Sequence, residues 1–427
     1  MQYQNVIDHL EKINFLPKRA PTLEPMQKAY DQLGLTIKPD QVTLIAGTNG
    51  KGSVASLLAR LHRTQGKSIG VYTSPHLIDT RERIRIDDRF ISESEFLECY
   101  CRLESQGLLK SLSHFEILTL VAIDYFFRER KVDLAFFEIG MGGIWDATNI
   151  LPNQTAVITS IGRDHMEFLG ETLSEILENK LGIVKSVTDQ VIHHPFPDET
   201  LTTVKTFQSK SKAKFIETRP FQFFPDKSEI LMDGRYITSP LWGNRGSENL
   251  ALAITAFLAQ GGSEDQISEN LKTYRWPCRL EKVKWTRNQK PLYFSADHNE
   301  AGFQSLSAWL QENEPVIVLG VGKSKDLSAI SSILEKFPNC RIILTETPFQ
   351  TCPMNDYPIA LRNQAVHEVK DPHLAVEKAF ELAQPDQKII ITGSIYLVGH
   401  LLSKTNHWLN QALMPDELDE TDSSFPH

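Results

Sequence analysis

Apolar residues in this 427-residue chain fall into two kinds of run that alternate. Short continuous runs such as Val42-Thr43-Leu44-Ile45-Ala46 have the length and makeup of a parallel strand buried on both faces. Longer stretches place apolar residues three and four apart, as at Val54, Leu57, Leu58 and Leu61, and predict one face of a helix. Two helices open the chain, over Val6–Ile13 and Met26–Leu33. Strands at Ser68–Thr73, Val132–Ile139 and Thr155–Ile161 then alternate with helices at Glu93–Leu109, Phe115–Arg130 and Leu173–Lys185. Between Gln190 and Tyr236 the segments are shorter and more polar, and they read as an antiparallel extension. Helices return at Glu248–Leu258 and Ser263–Tyr274. A second series follows, with strands at Leu292–Ser295, Val316–Leu319, Arg341–Thr345 and Lys388–Thr392. Its helices fall at Phe303–Glu312, Leu327–Phe337, Leu374–Ala383 and Tyr396–Leu409. Such alternation predicts an α/β fold with parallel sheets covered by helices.

Chemistry enters between the 42–46 strand and the helix that follows it. The connection is Gly47-Thr48-Asn49-Gly50-Lys51-Gly52-Ser53. A glycine-rich turn from strand to helix aims backbone N–H groups at an anion and lets the main chain approach it. Lys51 would neutralise the β- and γ-phosphates of a nucleoside triphosphate, and Ser53 would face a magnesium ion. The expected organisation is a phosphate-loop ATPase domain with a mostly parallel sheet at 1–282, then a smaller Rossmann-like α/β domain at 283–415.

In open α/β sheets ligands bind beyond the carboxyl ends of the strands. The strand ending at Tyr72 leads into Thr73-Ser74-Pro75-His76. The next candidate ends in Glu138 before Gly140-Met141-Gly142-Gly143, and the 155–161 strand leads to Asp164-His165. A carboxylate directly after four apolar residues has the place of a magnesium-holding acid, and Ser74 and Glu138 supply the hard oxygens that magnesium takes. Taken alone, His165 reads as an ordinary core or surface histidine, and Ser74 as a turn serine. Arg81-Glu82-Arg83-Ile84-Arg85 carries three arginines able to grip a carboxylate or polyanion, although a bare charge run is more often a solvated edge strand.

Composition narrows the classes. Apolar residues make up 41% and charged residues 23%, as in an ordinary globular protein. A net charge of −9 argues against a nucleic-acid binder. The five cysteines lack metal-site spacing and point to reduced thiols in a cytoplasm. No apolar run approaches a membrane span, and the opening residues do not begin a signal peptide. The acidic, polar tail at 416–427 has little to bury and is expected to be disordered.

The ordered set of Gly47–Ser53, Thr73-Ser74-Pro75-His76-Leu77, Arg81–Ile86, Phe115-Glu116 and Glu138–Asn149 resembles the folylpolyglutamate synthase/dihydrofolate synthase family, relatives of the Mur ligases. Asp164-His165, Lys180-Leu181-Gly182-Ile183, Trp276–Glu281, His298-Asn299, Lys325-Asp326 and Gly393-Ser394 extend the likeness over nearly the whole chain. The resemblance implies a ligase that uses ATP to turn a pteroate or folate carboxylate into an acyl phosphate, which the amine of L-glutamate then attacks. It also implies two magnesium ions, one on Ser74 and Glu138 with Ser53 nearby, the other on Glu138, His165 and a carbamylated Lys180. By the same likeness Asn249 lies beside the adenine, Arg279 reaches the phosphates, and His298 meets the nucleotide. Phe115, Glu116, Asp146 and Ala147 match pterin-side positions, with Arg83 and Trp145 among the substrate contacts. The substrates are small molecules (dihydropteroate or a reduced folate, and L-glutamate), and the family analogy implies a monomer with neither nucleic-acid nor membrane partner.

Several positions depart from the family pattern. Ser295-Ala296-Asp297-His298 stands where Asp-Gly-Ala-His is usual, so the ribose-binding aspartate is replaced by Ser295 unless Asp297 serves from a shifted register. Ile144-Trp145 replaces Arg-Leu before Asp146, and Asn244-Arg245 replaces His-Gln ahead of Asn249. Competing readings are a Mur-type ligase acting on another carboxylate, and a phosphate-loop kinase or nucleotide switch. The kinase reading leaves Lys180, Arg279 and the second domain without a role.

Overall fold

The computed structural model describes residues 2–13, 22–63, 66–224, 228–285, 288–323, 325–405, 407 and 409. The 416–427 tail lies outside the described residues. The chain divides into two compact units: Met1–His76 with Thr80–Arg275, and Leu77–Asp79 with Trp276–His427.

The first unit is built on eight strands: β1 (Val42–Ala46), β2 (Ile69–Tyr72), β3 (Ile84–Ile86), β4 (Arg89–Phe90), β5 (Leu134–Glu138), β6 (Thr155–Ile158), β7 (Gln190–His193) and β8 (Lys214–Glu217). Their order is β4-β3-β2-β5-β1-β6-β7-β8. Neighbours from β2 to β8 run parallel, and β3 and β4 form an antiparallel edge. Leu44 at the centre faces Phe137 on one side and Ala156 on the other, and every residue of β1 is buried. Helices cover both faces of such a sheet, which is why its central strands are apolar without alternation.

Four expectations need correction here. The 190–236 region is not an antiparallel extension at its start. β7 and β8, joined through the Leu201–Gln208 helix, continue the parallel sheet, and only β9 (Phe221–Phe224), β10 (Glu229–Met232) and β11 (Arg235–Thr238) are antiparallel. The 115–130 helix is two pieces, an α-helix at His114–Ile123 and a π-helix at Asp124–Glu129. The change falls at Asp124, a fully buried carboxylate gripped by Arg102 at 2.6 Å and Arg128 at 2.7 Å. The 263–274 helix shrinks to Glu264–Gln266 and Ile267–Leu271. The helix ends in bonds three residues back, Lys272 N–H on Glu269 O at 3.3 Å and Tyr274 N–H on Leu271 O at 3.1 Å, while the Asn270 carbonyl accepts from Arg60 Nε at 2.6 Å. Finally, Arg81, Arg83 and Arg85 are buried rather than solvated. Arg81 lies over the Tyr3 ring at 5.4 Å, and Arg83 Nε donates to His76 Nδ1 at 3.0 Å.

The second unit holds β12 (Arg279–Trp285), β13 (Asn288–Ser295), β14 (Val316–Leu319), β15 (Arg341–Leu344), β16 (Ala365–Glu368) and β17 (Ile389–Thr392), in the order β12-β13-β17-β14-β15-β16. β12 pairs antiparallel with β13, and the rest are parallel. Helices at Glu300–Asn313, Leu327–Leu334, Pro372–Leu382 and Ile395–Leu402 accompany the sheet. Phe294, Val318, Ile391, Val376, Phe380 and Leu397 lie in its core. The unit begins at Trp276, ahead of the boundary expected after residue 282, because β12 pairs within this sheet. Among the described residues no helix is long and apolar enough to cross a membrane.

Candidate active site

The loop after β1 is shaped by what lies against it. Gly47 sits at φ +149°, and a Cβ there would stand 1.8 Å from Thr159 Oγ1. Gly50, at φ +89°, precedes the Lys51–His62 helix, and a Cβ on it would meet Asn249 Oδ1 at 2.2 Å. Only glycine fits either place. The segment leaving β6 props the loop. Thr48 N–H donates to Ser160 O at 2.7 Å, and Asn49 N–H to Ser160 Oγ at 3.1 Å. Thr159 Oγ1 donates to Asn49 O at 2.7 Å, and Thr48 Oγ1 to Gly162 O at 2.9 Å. The amides of Thr48 and Asn49 are therefore engaged by the protein itself. The N–H groups at the start of the Lys51–His62 helix have no carbonyl four residues back within that helix, which makes this end the natural seat of a phosphate. These props, Thr159, Ser160 and Gly162, were not singled out from sequence. Their signal is the hydroxyl pair directly after an apolar strand.

Two lysines converge on one carbonyl. Lys51 Nζ donates to the Gly47 and Thr48 oxygens, both at 3.1 Å, and Lys180 Nζ donates to Gly47 O at 2.8 Å. Lys180 projects from the buried face of the Leu173–Leu181 helix, beside Ile176, Leu177 and Leu181. That helix starts in a capping box, with Glu175 N–H on Thr172 Oγ1 at 3.2 Å and Thr172 N–H on Glu175 Oε2 at 2.9 Å. Burial, reinforced by the neighbouring Lys51 charge, pushes the Lys180 ammonium down to about 7. A substantial fraction of this amine is then neutral near pH 7, the form that can react as a nucleophile.

Parallel pairing of β2 with β5 places Tyr72 beside Phe137. One step further, Ser74 N–H donates to Glu138 Oε2 at 2.8 Å. Glu138 is 5% exposed, so this acid is held inside the site rather than on its rim. The donors Glu138, Ser74 and Ser53 offer carboxylate and hydroxyl oxygen, the ligand chemistry of magnesium. His165 differs. Its backbone is left-handed at φ +49°, its side chain is 42% exposed, and Nε2 lies 3.9 Å from Asp164 Oδ2. Among the described residues no three His, Cys, Asp or Glu side chains gather as a metal cluster, so Glu138, Asp164 and His165 do not form one.

Among the residues expected at the pterin, Asp146 Oδ2 accepts the Met141 N–H at 3.0 Å, and Oδ1 accepts from Thr148 N–H and Oγ1 at 3.0 and 2.7 Å. This buried carboxylate staples its own loop, and burial raises its pKa. Glu116 works similarly, its Oε2 accepting the Ser113 N–H at 2.8 Å as a capping box for the His114–Ile123 helix. The partly buried Phe115 ring lies against Gly140, where a Cβ would meet Cζ at 2.6 Å. Ala147 is buried, whereas Trp145 is 54% exposed beside the stapled loop.

The remaining candidates belong to the second unit. Ser295, at the carboxyl end of β13, is buried, and its Oγ donates to the Asp297 carboxylate. Gly393 N–H donates to Asp297 O at 2.9 Å and joins the end of β17 to that of β13. His298 Nδ1 lies 2.9 Å from Ala296 O. Arg279 is exposed at the start of β12, with Nη1 donating to Cys278 O at 3.2 Å.

Residues 45–257 match the Mur ligase middle domain. The chain is 30% identical over 388 residues to folylpolyglutamate synthase of Lacticaseibacillus casei, covering 83% of this chain and 87% of that protein. It is 33% identical over 321 residues to dihydrofolate synthase/folylpolyglutamate synthase of Bacillus subtilis (strain 168), covering 68% and 72%. The fold matches Mycobacterium tuberculosis folylpolyglutamate synthase complexed with ADP at a TM-score of 0.82 and 25% identity, over 94% of this chain and 97% of that one. The chain belongs to the folylpolyglutamate synthase/dihydrofolate synthase family of the Mur ligases.

Proposed function

We propose that this protein uses ATP to join L-glutamate to the carboxylate of dihydropteroate or a reduced folate. The observation that carries this reading is the meeting of Lys51 and buried Lys180 on the Gly47 carbonyl, within a glycine loop at the end of β1. ATP seats its phosphates on the helix N-terminus, and Lys51 swings from the Gly47 and Thr48 carbonyls to the phosphate oxygens. Magnesium, held by Glu138, Ser74 and Ser53, supplies charge neutralisation at the transferring group when bound. Catalysis by the protein is otherwise positioning: Asn249 beside the loop, and Phe115, Trp145, Ala147, Glu116 and Arg83 toward the acid. Asp146 shapes that wall through the loop it staples.

Lys180 is read as the site of carbamylation, since burial supplies the neutral amine that the reaction needs. His165 reaches a second metal only if its exposed ring turns inward. By the family likeness Arg279, His298 and Asp297 are read as nucleotide contacts, with Asp297, which accepts from Ser295 Oγ, in the ribose role. The test is phosphate release with ATP and magnesium, measured with dihydropteroate and with tetrahydrofolate, and mass detection of product. Release that requires both glutamate and one of the acids, with a glutamylated product, is expected. Release that ignores glutamate would favour a kinase or nucleotide switch.

A further inference from the structure

Asn149 closes a junction between the loop after β5 and the helix that carries Lys180. Its Nδ2 donates to Ile144 O at 3.3 Å and to Gly182 O at 3.1 Å. Two carbonyls facing one nitrogen fix the orientation of the amide. Its Oδ1 is buried and accepts no hydrogen bond among the described residues, so the side chain acts here as a donor alone. Ile144 lies in the loop, and Gly182 caps the Leu173–Leu181 helix. A second seam runs beside the first, where Ile144 N–H donates to Asn179 O at 3.1 Å and Gly182 N–H reaches the same carbonyl at 3.2 Å. The two segments touch backbone to backbone. A Cβ on Gly143 would stand 2.5 Å from Asn179 O, and one on Gly182 would stand 2.3 Å from Ile144 Cγ1. Asn149 is fixed in turn by its own N–H on Asp146 O at 2.9 Å.

We propose that Asn149 is a positioning residue that keeps the loop carrying Trp145, Asp146 and Ala147 in register with Lys180. Through Lys180 Nζ on Gly47 O, the same helix reaches the phosphate loop, so one amide sets the acid's wall relative to the phosphoryl group. The inference rests on the proposed function, in which that loop faces the acid substrate.

Asn149→Asp keeps the shape but turns an acceptor toward two carbonyls, and Gly182→Ala wedges the same junction from its other side. In either variant the KM for the acid that wild-type enzyme turns over, dihydropteroate or tetrahydrofolate, should rise about tenfold or more, the scale of one or two lost hydrogen bonds, while the KM for ATP stays within about twofold. Amides 141–146 should exchange faster with solvent, and those of Thr48 and Asn49 should not. An unchanged KM for the acid, or a parallel rise in both KM values, would overturn the proposal. Gly182→Ala keeps it testable should Asn149→Asp fail to fold. Wild-type enzyme lacking glutamate-dependent phosphate release would instead refute the proposed function, and the exchange measurement reads the junction without turnover.

Discussion

The sequence singled out Lys51 within the glycine loop that follows one apolar strand, and Glu138 directly after the four apolar residues 134–137 of another. Each should be indispensable. Lys51→Ala or Glu138→Ala should lower turnover by about a hundredfold or more, the scale of losing one preorganised charge at a transferring group. Near-normal single-turnover rates would refute the assignment. Lys180 shows what periodicity could have added. Ile176, Leu177 and Leu181 place it on the apolar face of its helix, so its burial follows from spacing alone. Its depressed pKa has two consequences. The proposed carbamylation needs the neutral amine, which is lost as pH falls through about 7, so turnover in bicarbonate should decline on that side. Below that pH both folded and unfolded chains hold the proton, whereas between about 7 and the ordinary lysine range the unfolded chain binds more. Stability should therefore rise with pH across that window, and Lys180→Met should flatten the rise in urea unfolding followed against pH. By contrast, the structural work of Asp146 and Glu116 was hidden in the sequence, because a carboxylate that staples a loop and one that meets a ligand look alike until their hydrogen bonds are known.

Elements with strong periodicity and clear ends were read closely, such as β14 at Val316–Leu319. β12 was missed because Arg279, Glu281, Lys282 and Lys284 interrupt its apolar positions, and β16 because it is a short, half-exposed edge. The π-helix at Asp124–Glu129 was not foreseeable, since a buried carboxylate between two arginines is a tertiary event. The phosphate loop is an element in its own right, held by the segment that leaves β6 as well as by Lys51 within it. Gly47→Ala would drive a methyl group into Thr159 Oγ1, so nucleotide affinity should fall by about tenfold or more while the fold persists. Calorimetric titration with ADP checks this, and unchanged binding would show that the loop yields more readily than its packing implies.

At the scale of the whole molecule, the two alternating series foretold two α/β units. The sequence could not say that Leu77–Asp79 belongs with the second of them, because membership is decided by packing far along the chain. In that second unit the hydrogen bond from Ser295 to Asp297 bears on the register left open by the sequence. Asp297→Asn should raise the KM for ATP more than Ser295→Ala does, and the reverse order would return the contact to residue 295. The central claim concerns chemistry: ATP activates the acid as an acyl phosphate. The accepted acid, dihydropteroate or tetrahydrofolate, labelled with oxygen-18 in its reacting carboxylate and turned over with ATP and glutamate, tests it most directly by mass analysis of the released phosphate. One labelled oxygen in each phosphate is predicted, and phosphate free of label would contradict the account.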